Sequence, residues 1–363
     1  MMRFFRWLYI NGMEERMTMS FTRVLIVGWF VGACAAYTLM GCSVKEYSKE
    51  GKQGLMGPAG EDGTAVCGTC HNMSTEVVAK TMQWQASKHA TGGNFTRNST
   101  NCAVCHSHEG FRERLMTGSI TVVAAIVDPT PQNCRTCHNI HKNYDQSDLE
   151  LSYSSPVTLL FNGATVDFGK GNLCAMCHQP RPLTPMPVLD GKDIAISTTN
   201  YGGHHGPQAA TLGGTGKGYI EIPGSIPYEN SPHTTMVTNG CVTCHMAQAI
   251  GVSAGGHTMI MSYGDNATPN LASCKACHTD ITKFDVNGVQ TEVKGLVADL
   301  RAKLVSAGIM TNSSESTVKG TYPALIAAAR VNYQMILEDR SNGVHNAKYV
   351  KAVLKNTIEE LSK

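Results

Sequence analysis

Six times along this chain a cysteine is followed three positions later by a second cysteine and then at once by a histidine. The copies are Cys67/Cys70/His71, Cys102/Cys105/His106, Cys134/Cys137/His138, Cys174/Cys177/His178, Cys241/Cys244/His245 and Cys274/Cys277/His278. Two thiols about one helical turn apart can add across the two vinyl groups of a porphyrin, and the next residue then lies beneath the ring with its imidazole available to the iron. The pattern is the attachment signature of c-type haem. Paired Cys-x-x-Cys units can clamp zinc, a single one can be a redox dithiol, and a secreted chain can use cysteines as a disulfide framework. None of these needs a histidine after the second cysteine in every copy. The expectation is six covalently bound haem c groups, each with its iron held on one side by the motif histidine.

Eight histidines lie outside the motifs, and six irons with two histidines each would need six of them. His89, His141, His204, His233, His257 and His345 are the expected second ligands, with His205 and His108 the weaker candidates. His141 lies three residues past His138, one turn on if the segment is helical. It cannot reach the far face of its own haem, so it is expected to serve a neighbour. His204 and His205 are adjacent and diverge, and His204 is preferred. His233 and His257 sit in turn-like contexts, and His89 follows Trp84, whose indole could cover a haem edge. His345 opens the last helix, whereas His108 is only two residues from motif His106. Methionine as a second ligand would raise an iron's potential, but the histidines suffice.

Thioether attachment of haem takes place outside the cytoplasm, so an export signal is expected. Arg23 precedes an apolar run from Val24 to Met40 that ends in Leu39-Met40-Gly41-Cys42. A basic start, an apolar stretch and a small residue before the cut make a secretory signal. The run of 17 residues is slightly short for a membrane span. Its end is similar to a bacterial lipobox, with Cys42 as the lipidated first mature residue. Cleavage there discards Cys34 and leaves every remaining cysteine with a role. Glu14 and Glu15 read poorly as part of a signal, so translation is expected to begin at Met17 or Met19.

The expected organisation is a lipoprotein signal peptide over 1–41, a Gly-rich tether over 42–66, a hexahaem body over 67–285 and a helical segment over 286–363. In the tether, Gly51, Gly54, Gly57, Gly60 and Gly63 keep a three-residue period, too short for a collagen-like triple helix. The body is rich in Gly, Pro, Asn, Ser and Thr and has few apolar periods, so haem is expected to supply its core. The fold class that follows is mostly coil with short α-helices organised around six haems, plus a C-terminal helical segment, with little β. Long loops are expected between His178 and Cys241 and around 107–133. Helices are expected over Thr291–Ala307, over Pro323–Arg340 with Asn342-Gly343 ending it, and after Asn346 as cap.

With these residues in place the chain resembles the outer-surface multihaem cytochromes of extracellular electron transfer. The resemblance rests on Trp84 to His89, Cys105-His106-Ser107-His108-Glu109-Gly110-Phe111 and Gly203-His204-His205-Gly206-Pro207-Gln208. It continues through Asn230-Ser231-Pro232-His233, Gly255-Gly256-His257 and Gly343-Val344-His345-Asn346. It implies electron transfer at the outer membrane or cell surface, with a lipid anchor in the membrane. The implied partners are quinol-linked or periplasmic cytochromes, porin–cytochrome conduits or extracellular acceptors. Some such proteins polymerise, so a homopolymer is a further implied state, although the lipobox favours an anchored form. No nucleic-acid partner is expected. The competing class is a multihaem reductase of nitrite, hydroxylamine or tetrathionate type. It would need one iron with an open position, yet no motif is altered and the histidines are enough to close all six.

Overall fold

Three C-terminal helices and a set of loops that bond to them carry the apolar core. The computed structural model describes Gly68, His71 and residues 75–363, all within one compact unit, Gly63–Lys363. Cys42, the tether, Cys67 and Cys70 lie outside the described residues. Among the described residues five helices have ten residues or more: α1 (Thr75–Ala86), α2 (His108–Thr117), α3 (Val289–Ser306), α4 (Ala324–Asp339) and α5 (Ala347–Glu360). Between α2 and α3 the chain runs as coil, single helical turns and short strands, so the molecule is coil and helix with little β.

Periodicity in the last 75 residues translates directly into packing. Val293, Leu300 and Leu304 of α3, Val331 and Met335 of α4, and Tyr349, Val350, Val353 and Leu354 of α5 are all buried. The boundaries differ slightly from expectation. Helix α4 stops at Asp339 because Arg340 takes a left-handed conformation (φ 61°), before Asn342-Gly343 is reached. Asn346 stands at the N-terminus of α5 but its side chain does not cap it. Its Oδ1 accepts from the Ser231 backbone instead, and the cap comes from Ser231, whose Oγ accepts from the N–H of Lys348 at 2.9 Å.

The middle of the chain buries more apolar surface than its composition suggests. Val157, Leu159, Phe161, Val166, Phe168, Tyr201, Leu212, Tyr219 and Ile222 join the helical core. They are too scattered for a helical or alternating period, and tertiary contacts gather them. Strands β1 (Val157–Thr158) and β2 (Thr165–Val166) form one antiparallel pair, and β4 (Ser262–Tyr263) and β5 (Thr268–Pro269) another. Strand β3 (Ile194–Ile196) pairs antiparallel with β6 (Gly320–Tyr322), tying the middle to the C-terminal helices. Two fully buried asparagines do the same. Asn332 accepts from the N–H of Ile220 and donates to its carbonyl, and Asn356 treats Ile226 likewise. Each such bond stabilises by about 1 kcal/mol, and leaving a buried partner unmade costs about 1–3 kcal/mol.

The segment 107–133, expected as loop, opens with α2. Ser107 Oγ accepts from the N–H of Gly110, Glu109 lies in the first turn and Gly118 (φ 72°) ends the helix. These end signals enclose a sequence with too few apolar residues to show a period.

Candidate haem sites

Each described motif closes as one tight turn. The backbone N–H of the motif histidine donates to the carbonyl of the first cysteine at 3.1 Å in His106, 2.9 Å in His138, 2.9 Å in His178 and 2.8 Å in His278. The fifth motif lies inside the short helix Gly240–His245. No disulfide joins any of the ten described motif cysteines. All six motif histidines line one continuous cavity of about 3020 Å³. A pocket for one small molecule is about 300–1,000 Å³, and protein interiors otherwise pack densely. A void of that extent is a cradle for several large groups.

Opposite each motif histidine stands one other histidine. The ring centres are 6.1 Å apart for His71 and His141, 6.1 Å for His178 and His89, and 6.3 Å for His106 and His204. They are 6.3 Å apart for His138 and His257, 6.2 Å for His278 and His233, and 6.3 Å for His245 and His345. Two metal–imidazole bonds of about 2 Å, plus roughly 1.1 Å from each nitrogen to its ring centre, total about 6.2 Å. The donor set and its spacing therefore fit an iron between each pair. Among the described residues no cluster of three or more His, Cys, Asp or Glu could hold a metal ion.

Hydrogen bonds fix which nitrogen is free. Nδ1 of His138 meets the carbonyl of Leu149 (2.6 Å), that of His233 the carbonyl of Val344 (2.6 Å) and that of His245 the carbonyl of Met259 (3.1 Å). His178 meets Gln208 Oε1 at 3.3 Å, and His345 meets Asp339 Oδ1 at 2.7 Å. Every partner is an acceptor, so Nδ1 carries the proton and Nε2 keeps the lone pair a metal needs. Burial reinforces this. It pushes His89 and His204 down to about 4, helped by the neighbouring charges of His178 and Arg181 respectively, and also lowers His106, His178, His245 and His257. His345 is the exception, since the Asp339 carboxylate outweighs its burial and raises it.

The surroundings explain how each opposed histidine is carried. His141 does not follow His138 on a helix. Asn139 to Lys142 form a turn in which His141 is left-handed (φ 65°), and the ring stacks on Tyr144. The buried carboxylate of Asp148 holds that turn by accepting from the N–H groups of His141, Asn143 and Tyr144 at 2.7, 2.7 and 3.1 Å. Trp84 lines the cavity and donates its indole N–H to the Gln132 carbonyl. His257 sits on a turn whose Gly256 has φ 50°, a conformation that favours glycine, and Gln83 Oε1 of α1 accepts from the His257 N–H. His233 falls in a short helix, Pro232–Met236, rather than in the turn itself. The two weaker candidates face no motif histidine. His205 is exposed and pairs with Glu338 at 2.7 Å, and Nδ1 of His108 meets Thr136 Oγ1 at 2.8 Å.

The motifs also adjoin one another. Cys105 Sγ lies 4.0 Å from the Met176 carbonyl and beside the Cys177 thiol, while Cys241 Sγ lies 4.0 Å from the Gly171 carbonyl and beside the Cys174 thiol. Cys137 is near enough to Cys174 and Cys177, and Cys244 to Cys274, for their charges to interact. The fourth motif thus borders the second, third and fifth. The fifth leads on to the sixth, and His138 and His141 join the third to the first.

No protein-family model matches the chain, and no curated protein matches it. Among solved structures it is similar to the outer cell wall cytochrome OcwA, at 23% sequence identity and a TM-score of 0.48 over 77% of this chain and 49% of that one. The chain thus spans about half the length of that protein, and a TM-score of this size does not establish a common fold.

Proposed function

We propose that this chain is an exported hexahaem c-type cytochrome that conducts electrons through six closed, bis-histidine irons. The observation that carries the reading is the opposition of six motif histidines to six others, every pair at the separation an iron requires. Bound haem supplies one-electron iron chemistry. The chain's part is to hold it. The motif cysteines would anchor each group by thioethers, Cys67 and Cys70 included, and the paired imidazoles would hold its iron and keep small oxyanions from it. That arrangement favours a conduit over a reductase of nitrite, hydroxylamine or tetrathionate.

The contacts between motifs support a forked route. The sixth, fifth and fourth sites form a line, and beyond the fourth it divides toward the second and toward the third and first. Each histidine pair is completed within one chain, so a homopolymer is not needed to supply a ligand. Lipidation at Cys42, with 43–66 as tether, would hold the molecule at the outer membrane, cell surface or periplasmic face. There it would exchange electrons with periplasmic or quinol-linked cytochromes, porin–cytochrome conduits or extracellular acceptors.

Two measurements on the purified protein test this reading. Intact mass after denaturation is expected to exceed the apoprotein by six haems and a lipid modification. Electron paramagnetic resonance of the oxidised protein is expected to show low-spin iron alone, with poor binding of carbon monoxide and cyanide. A mass short of six haems removes full occupancy, and a high-spin iron that takes ligands turns the reading toward an enzyme.

A further inference from the structure

The pair His245 and His345 is built differently from the other five. It is the one opposed pair, among the described residues, in which both outer nitrogens are hydrogen-bonded, to the Met259 carbonyl and to Asp339. It is also the one in which an imidazole is bonded to a carboxylate, since the partners of His138, His178 and His233 are neutral carbonyl oxygens. Asp339 is 3% exposed and closes α4. Its Oδ2 accepts from the hydroxyl and the backbone N–H of Ser341, and the Thr211 hydroxyl lies close by. The adjacent Glu338, by contrast, is shared between His205 and Arg340. The buried charge of Asp339 therefore has His345, and whatever His345 binds, as its counterpart.

A carboxylate that accepts a hydrogen bond from the Nδ1–H of a ligand histidine makes that ligand more basic. A buried anion with no cation of its own favours the state of its neighbour that carries more positive charge. Both effects stabilise ferric over ferrous iron. We propose that Asp339 is a positioning residue that gives the iron held by His245 and His345 the lowest potential of the six. This rests on the conduit reading. The fifth motif lies between the fourth and the sixth, so an electron passing along that arm would climb one uphill step. Asp339 would thereby set how readily the sixth site communicates with the fork.

The test is a spectroelectrochemical titration of the holoprotein and of two variants at one pH and salt. In Asp339→Asn the lowest of six midpoints is expected to rise, with the oxidised-to-reduced ratio at a given potential falling about tenfold, which is about 59 mV for a one-electron couple. The other five are expected to stay, and the low-spin spectrum to persist. In Ser341→Ala the carboxylate loses a competing donor, so the same midpoint is expected to fall. A support that only shapes the site would not move the two variants in opposite directions. The inference is overturned if no midpoint moves in Asp339→Asn, if all six move together, or if the one that moves is not the lowest. Should Asp339→Asn fail to mature, the sign in Ser341→Ala decides alone, and an unchanged or raised midpoint there overturns it. Loss of six low-spin haems in the unsubstituted protein would instead count against the conduit reading.

Discussion

His141 and His71 face each other with ring centres 6.1 Å apart, although His141 follows a different motif by only three residues. One short segment thus bears His138 for one site and His141 for the next. Two sites tied to one turn of chain are forced to be neighbours, which is what electron hopping between them needs.

Replacing His141 with alanine is therefore expected to open one iron and leave five closed. The oxidised protein should gain one high-spin signal in six and bind one equivalent of cyanide. Replacing His205, exposed on Glu338, or His108, bonded to Thr136, should change neither quantity. An unaltered spectrum in His141→Ala would take that residue off the ligand set.

The same turn gives a pH dependence with a definite sign. Burial pushes the Asp148 carboxyl up, but hydrogen bonds from the backbone of Asn143, His141, Tyr144 and Lys142 together outweigh it and hold it below its ordinary 3.8. A carboxyl depressed in the folded state contributes its stabilisation above the unfolded value and loses it as pH falls through the folded one. Acidification below 3.8 is thus expected to release His141 first. One iron should turn high-spin before the rest, and in Asp148→Asn it should be partly high-spin already at neutral pH. Six irons converting together would argue that Asp148 does not hold this turn.

Ser231 and Asn346 make a stability prediction. Ser231 Oγ caps α5 at Lys348 N–H, while Asn346 Oδ1 takes the Ser231 N–H and its Nδ2 donates to Asn230. Losing a helix cap costs about 1 kcal/mol. Ser231→Ala is expected to lower denaturation stability by about that amount. It should also broaden the signal of the iron assigned to His233, two residues on. A change confined to stability would separate the cap from the ligand turn.

Much of the fold was legible where a local rule acts alone. The Cys-x-x-Cys-His motifs are plain in their spacing, and the C-terminal helices carry an apolar period that their buried faces repeat. Helix α2 was not legible, because its end signals enclose a polar sequence whose Phe111 is buried by tertiary contacts. The scattered Val157, Phe168 and Tyr219 hid a core for the same reason. Which histidine faces which motif is likewise a tertiary fact: His89 reaches His178, and His345 reaches His245, across long stretches of chain. Asp148 and Asp339 gave no signal, being single carboxylates whose importance lies in what the fold brings to them. Asp339 six residues before His345 marks nothing until the helix end and the turn bring the two together.

Charge leads to the last expectation. The full sequence is formally +2, and residues 1–41 hold Arg3, Arg6, Arg16 and Arg23 against Glu14 and Glu15, so cleavage before Cys42 leaves a net of 0. A ferric haem with neutral axial histidines and ionised propionates carries about −1 and a ferrous one about −2. Full reduction would then take the molecule from about −6 to about −12 unless protons are taken up. The motifs adjoin through Cys105 with Cys177 and Cys174 with Cys241, so each added electron is felt by the next site. The six midpoints are accordingly expected to spread widely and to fall as pH rises, because reduction draws in protons. Higher salt should narrow the spread at exposed sites, where screening acts within about 10 Å at 0.1 M. A titration that fits a single potential at every pH would mean six isolated centres, against the adjacency of the motifs.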